Sequence, residues 1–163
     1  MAKPLVGVSA CLLGRAVRYD GGHKLDEWIK HELGRMVEFV AVCPEAEAGL
    51  GVPRQAMRLV RGTAGPRLVG LDNGRDITAG LLDYSEAKLE DLARLPLAGF
   101  VLKSRSPSCG LAVAVTGPDN EPADIVPGLF AGALRRRFPE LPVIQEIDLV
   151  DLEQRQAFLR LLS

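Results

Sequence analysis

The sequence predicts an α/β fold of three layers, a mostly parallel sheet with helices on both faces, wound in the doubly wound manner of Rossmann and flavodoxin-like domains. Three observations carry this. Short, continuously apolar runs of strand length alternate with longer segments whose apolar residues recur at helical spacing. The strand candidates at 98–102 and 111–115 are apolar throughout, as strands covered on both faces are. Finally, 163 residues with 47% hydrophobic and 25% charged side chains suit one domain, residues 1–163, with a sizeable core.

Taken in order, residues 5–10 form an apolar run that ends at Cys11 and is followed by Leu12-Leu13-Gly14, a buried strand opening into a loop. Residues 26–36 place Trp28, Ile29, Leu33 and Met36 on one helical stripe, which Gly34 weakens only slightly. Residues 38–42 form a second strand that delivers Cys43. The stretch 44–54, with Gly49, Gly51 and Pro53 and no steady period, is expected to be a loop. Residues 57–60 and 67–71 are short strands able to pair as a hairpin. Residues 76–95 carry Leu81, Leu82, Leu89, Leu92 and Ala93 on one stripe behind Asp76, a good N-cap. Residues 98–102 are a further strand, and the turn-rich segment 103–110 holds Cys109. A strand over 111–115, a helix over 128–138 and a last strand over 142–147 follow. A closing helix opens at Asp151 and Gln154 in a capping-box-like pattern and carries Phe158, Leu159 and Leu162.

Composition narrows the function. Twenty Lys and Arg against 21 Asp and Glu leave a net charge of −1, so no broad positive field exists to hold a polyanion, and nucleic acid is not an expected partner. The basic run Arg135-Arg136-Arg137 falls in the last turn of a helix, where cations complement exposed carbonyls. No apolar run approaches the roughly 18 residues of a membrane span. Val8-Ser9-Ala10-Cys11 has the look of the small-residue box before a lipidated cysteine. The apolar run ahead of it is too short for a signal segment and contains Pro4, so a cytoplasmic location is expected.

Three cysteines cannot all pair within one chain, and a cytoplasmic chain keeps them reduced. A single cysteine is as often a small buried hydrophobe as a functional group. Here each of the three follows a strand in a segment of small or turn residues: Ser9-Ala10-Cys11, Cys43-Pro44-Glu45 and Ser106-Pro107-Ser108-Cys109-Gly110. Ligating and reactive side chains sit on loops held by a rigid scaffold, and parallel sheets bind ligands beyond the carboxyl ends of their strands. Without Cys-x-x-Cys spacing, three thiolates suit either a zinc ion completed by water or an iron–sulfur cluster with one iron lacking a protein ligand.

The segments Ser9-Ala10-Cys11-Leu12-Leu13-Gly14, Arg18-Tyr19-Asp20-Gly21, Cys43-Pro44-Glu45, residues 49–54 and Ser106-Pro107-Ser108-Cys109-Gly110 together resemble the thiouracil desulfidase family. The likeness is strong as far as Cys109 and looser through residues 126–158. It implies a [4Fe-4S] cluster held by Cys11, Cys43 and Cys109. It also implies hydrolytic removal of sulfur from a thiolated pyrimidine base or nucleotide, thiouracil going to uracil plus hydrogen sulfide, with sulfur bound at the open iron and water attacking the carbon. Glu45 would be the acid–base residue and Ser106 would orient substrate or water, a task Ser108 could share. Glu47 is expected to be an ordinary surface carboxylate. Some members of the family carry a second domain and act on thiolated tRNA; a small-molecule thiolated pyrimidine is the expected partner here.

Arg15, Arg18, Tyr19 and His23 follow Cys11 closely and could hydrogen-bond a pyrimidine edge or a phosphate, although Tyr19-Asp20-Gly21-Gly22 also reads as a turn. His31 is expected on the solvent side of its helix. Two other readings compete: a metal-free enzyme pairing a cysteine with His23 for acyl or thiol chemistry, and a zinc or iron–sulfur binding protein without catalysis.

Overall fold

The computed structural model describes residues 2–117, 119 and 121–162. Four strands, β1 (Leu5–Ser9), β2 (Glu38–Val42), β5 (Leu97–Leu102) and β8 (Val143–Gln145), form an all-parallel sheet in the order β2-β1-β5-β8. The other four, β3 (Met57–Gly62), β4 (Gly65–Gly70), β6 (Val113–Thr116) and β7 (Pro122–Val126), form a second, mixed sheet in the order β4-β3-β6-β7. The expected α/β fold is present, and the hairpin foreseen near residues 57–71 is β3 and β4, paired antiparallel. The second sheet was not foreseen: the strand expected at 111–115 joins β3 rather than the parallel sheet.

Both faces of the parallel sheet are covered by helices. On one, Val6, Val8 and Val101 pack against Ile29 and Leu33 of the π-helical segment Trp28–Leu33, which runs into the short α1 (Gly34–Met36), and against Phe158 of α4 (Leu152–Leu161). On the other, Phe100 and Leu102 meet Leu89 and Leu92 of α2 (Thr78–Leu92) and Phe130 and Leu134 of α3 (Leu129–Arg137). Phe100 and Phe130 sit as a tilted aromatic pair with centroids 6.0 Å apart. Gly7 makes that contact possible, since a Cβ at this position would lie 2.2 Å from the Phe100 ring. The N-cap of α2 is Ile77 rather than the expected Asp76, although Asp76, one residue earlier, still accepts the Thr78 N–H at the helix start.

Among the parallel strands, the order in space places the first strand of the chain between the second and the third. That reversal leaves a crevice at the carboxyl edge beside β1, the place where open α/β sheets bind ligands.

Candidate functional site

The loops at that edge enclose a cavity of about 370 Å³. Cys11 enters it from the 3₁₀ turn Ala10–Leu13 that follows β1, Cys43 from the residue after β2, and Cys109 from the loop between β5 and β6. All three thiols line it, none is in a disulfide, and Cys11 and Cys109 are buried.

The 106–110 segment owes its shape to its own hydroxyl and carbonyl groups. The Ser106 hydroxyl accepts the N–H groups of Ser108 and Cys109 at 3.2 and 3.0 Å. The carbonyls of Pro107 and Ser108 then accept N–H groups from Leu129, Phe130 and Ala131, the donors a helix start leaves unpaired. Gly128 is required where the loop lies on α3, because a Cβ there would fall 2.6 Å from the Ser108 backbone. In this arrangement Ser106 organises the loop that presents Cys109, while its side chain still lines the cavity.

Glu45 follows Cys43 on a wide helical turn that reaches Ala48 and breaks at Gly49, whose φ of 89° is left-handed, so the expected loop holds only from there to Arg54. Its carboxylate is almost enclosed: Oε2 accepts the Ser108 hydroxyl at 2.8 Å and Oε1 accepts Arg54 Nε at 3.2 Å. Arg54 is in turn fixed by donating to the carbonyls of Val17 and Gly51, each at 2.9 Å. Ser108, rather than Ser106, is the serine bonded to the expected acid–base residue.

Glu47 is no idle surface carboxylate. Its Oε2 accepts the Cys43 N–H at 2.7 Å, and its Oε1 accepts the Tyr84 hydroxyl at 2.8 Å and faces Lys88 Nζ at 3.3 Å. It ties the backbone of a cysteine to helix α2. The reading of Glu47 as a plain surface residue is therefore corrected.

Of the other residues singled out by sequence, Arg18 and Tyr19 line the cavity, their side chains stacked at 5.4 Å. Arg15 and His23 are exposed and do not line it; His23 Nδ1 accepts the Leu25 N–H. Asp20 accepts the Gly22 N–H, as its turn reading requires, and His31 is exposed beside Glu27. A Cys–His pair built on His23 has no support in this placement.

Four residues that sequence reasoning passed over complete the site. Arg54 holds Glu45, and Ser9, Lys103 and Ser104 line the wall beside β5. Lys103 N–H donates to Ser9 Oγ at 2.9 Å, and its ammonium lies 3.1 Å from Glu146. Arg54 and Ser9 each lie within a quoted segment, so those motifs were the available signal; Lys103 and Ser104 fall in the turn-rich stretch 103–110, which marked a loop but no role.

Burial sets the thiol chemistry. Desolvation, reinforced by the neighbouring Cys43, pushes the Cys11 thiol up to about 11 despite Lys103 and Arg18. Burial also raises Cys43, partly offset by the Ala46 N–H and by Arg54, and raises Cys109 strongly against a hydrogen bond from Ser9. Buried thiols of this kind bind soft metals as thiolates and release protons when they do so. Among the described residues no three His, Cys, Asp or Glu side chains converge closely enough for a single metal ion. Three soft thiolate donors lining one cavity suit, by their chemistry, an iron–sulfur cluster.

No helix is long and apolar enough to cross a membrane among the described residues. The uncharacterized protein YbbK of Bacillus subtilis is 29% identical to this chain over 118 residues, 69% of this chain and 78% of its own length. Among solved structures, TudS, a [4Fe-4S]-dependent thiouracil desulfidase, matches with a TM-score of 0.73 at 31% identity, covering 96% of this chain and 99% of its own. A sequence profile described as 2-thiouracil desulfurase matches residues 6–146, a span that includes all three cysteines, Glu45, Arg54 and Lys103, and the chain thus belongs to the 2-thiouracil desulfurase family.

Proposed function

We propose that this protein is a [4Fe-4S]-dependent desulfidase that hydrolyses a thiolated pyrimidine base or nucleotide to its oxygen analogue and hydrogen sulfide. The observation that carries the reading is the convergence of three free, largely buried cysteines from separate strand ends on one cavity that also receives Glu45. Cys11, Cys43 and Cys109 would hold the cluster. Bound there, it would supply a soft Lewis acid for the thiocarbonyl sulfur, worth several kcal/mol of activation, and an acceptor for the departing hydrosulfide.

The remaining work falls to the protein. Conversion of C=S and water to C=O and H₂S involves no net redox change, so the chain must only move protons and place the water. Glu45 is the base: its two oxygens are oriented by Arg54 and Ser108, and it accepts a water proton as the new C–O bond forms. The same carboxyl then returns that proton to the sulfur, and as the C–S bond breaks the hydroxyl proton leaves the new oxygen for the departing hydrosulfide, giving C=O and H₂S. Arg18 and Tyr19, at the cavity wall, supply a donor and a flat face for a pyrimidine. Ser106, which keeps the Cys109 loop in shape, has its own hydroxyl proton left to donate into the cavity.

The test is turnover of 2-thiouracil by protein isolated without oxygen and given no reductant. Uracil and sulfide should appear in equal amounts. Glu45→Gln should keep its iron and lose about 10²- to 10⁴-fold in rate. An iron-loaded protein that leaves thiolated pyrimidines intact overturns the reaction, and full activity in Glu45→Gln overturns the role of that residue.

A further inference from the structure

We infer that the largely enclosed Lys103–Glu146 ion pair is the charge-setting element of the cluster site, acting on the cluster from the cavity wall beside Cys11. The inference rests on the cluster reading proposed above and assigns work to two residues that the hydrolysis itself does not use.

At the carboxyl edge of the parallel sheet the residues following β2, β1, β5 and β8 stand in a row: Cys43, then Cys11 on its turn, then Lys103, then Glu146. Cys11 is therefore flanked on the β2 side by Cys43, with the Arg54–Glu45 pair close to it, and on the β5 side by the Lys103–Glu146 pair. The first pair holds the base. The second has no assigned task, yet Lys103 lines the same cavity.

Its construction is costly for a surface device. The two side chains are only 15% and 13% exposed, with Lys103 Nζ 3.1 Å from the Glu146 carboxylate. Lys103 Nζ also donates to the Ser104 carbonyl at 2.8 Å. Glu146 is pinned by the Ser104 N–H at 2.6 Å and the Ser104 hydroxyl at 3.0 Å. Neither charge can turn away to solvent, and a buried ion pair is rarely retained for stability alone, since apolar packing serves as well. Lys103 lines the same cavity as Cys11, and Glu146 is held directly against the lysine, so both charges stand at the wall of the site. A site carrying three thiolates gathers negative charge, and net charge near a cluster is one of the quantities that sets its potential.

The two partners therefore have opposite signatures. Removing the ammonium in Lys103→Met leaves the Glu146 carboxylate uncompensated, which disfavours adding an electron. Removing the carboxylate charge in Glu146→Gln leaves Lys103 uncompensated and favours it. The experiment is a one-electron reductive titration, by dithionite with electron paramagnetic resonance detection, of substrate-free, cluster-loaded protein at pH 8. Lys103→Met should shift the midpoint negative and Glu146→Gln positive. Each shift should be at least a tenfold change in the reduction equilibrium, about 59 mV for one electron.

Opposite shifts of this size support the inference. Shifts of the same sign, or no shift in either variant, overturn it, because loss of a merely structural contact does not reverse with the sign of the charge removed. Should Lys103→Met fail to keep a cluster, Glu146→Gln decides alone: a positive shift supports and a zero or negative one overturns. Wild-type protein without a cluster would instead refute the reading on which the inference rests.

Discussion

Arg54 gives the sharpest energetic prediction. Its side chain is 7% exposed and that of Glu45 is 11%, so water screens the pair weakly. Arg54→Met keeps the apolar stem but removes every donor. It leaves the Glu45 carboxylate without its cation and the carbonyls of Val17 and Gly51 without the guanidinium. Breaking a buried pair from one side costs about 3–5 kcal/mol, a large share of the ~5–15 kcal/mol that stabilises a domain. The assay is urea unfolding of reduced, cluster-free protein, followed by the fluorescence of Trp28, the only tryptophan. For an m value near ~2 kcal/mol/M the midpoint should fall by about 1.5–2.5 M with the slope unchanged. The double variant with Glu45→Gln should lose less than the sum of the two single changes, because the contact they share is removed once. A loss below about 1 kcal/mol, the range of exposed pairs, would refute the view that this contact is enclosed and holds the base in place.

Three further outcomes follow from the same geometry. Glu47→Ala frees the Cys43 N–H and the Tyr84 hydroxyl, and should cost about 1–3 kcal/mol in the same unfolding assay while lowering iron retained per chain after gel filtration. Ser108→Ala removes one hydrogen bond to the Glu45 carboxylate and should lower kcat by roughly 10- to 100-fold with iron content intact, read by sulfide release. The Cys11 thiol stands at about 11 in the fold against 9.0 for a free thiol, so the native state holds its proton more tightly than the unfolded chain does. Its stabilising contribution is complete below pH 9 and is lost as pH rises towards 11, roughly 2–3 kcal/mol in all. Cluster-free Cys11→Ser, unfolded in urea across that range, should show a shallower decline than the parent.

How much of this could be read from the chain depended on distance along it. The parallel strands announced themselves as apolar runs, and the three cysteines were visible as strand-end residues because each follows its strand directly. Strand β7 was not visible: it begins with Pro122, leaves Ile125 exposed and shows no alternation, since it adds an outer edge to a sheet with little core of its own. The wide turns of Trp28–Leu33 and Ala46–Leu50 have the same apolar spacing as an ordinary helix or no spacing at all, so periodicity could not separate them. Lys103 and Glu146 meet only because β5 and β8 are neighbours, a pairing of residues 43 positions apart that no local pattern records. Glu47 looked ordinary for a similar reason, its partners Tyr84 and Lys88 lying on a helix far along the chain.

The convergence of three cysteines on one open cluster is the central claim, and metal content measures it directly. Protein isolated without oxygen should be coloured and contain iron and acid-labile sulfide in equal amounts at the level of one [4Fe-4S] cluster per chain, and Cys43→Ser should lose most of both while remaining folded. A folded wild-type protein that is colourless and free of iron under these conditions, or a Cys43→Ser variant with undiminished iron and sulfide, would contradict it.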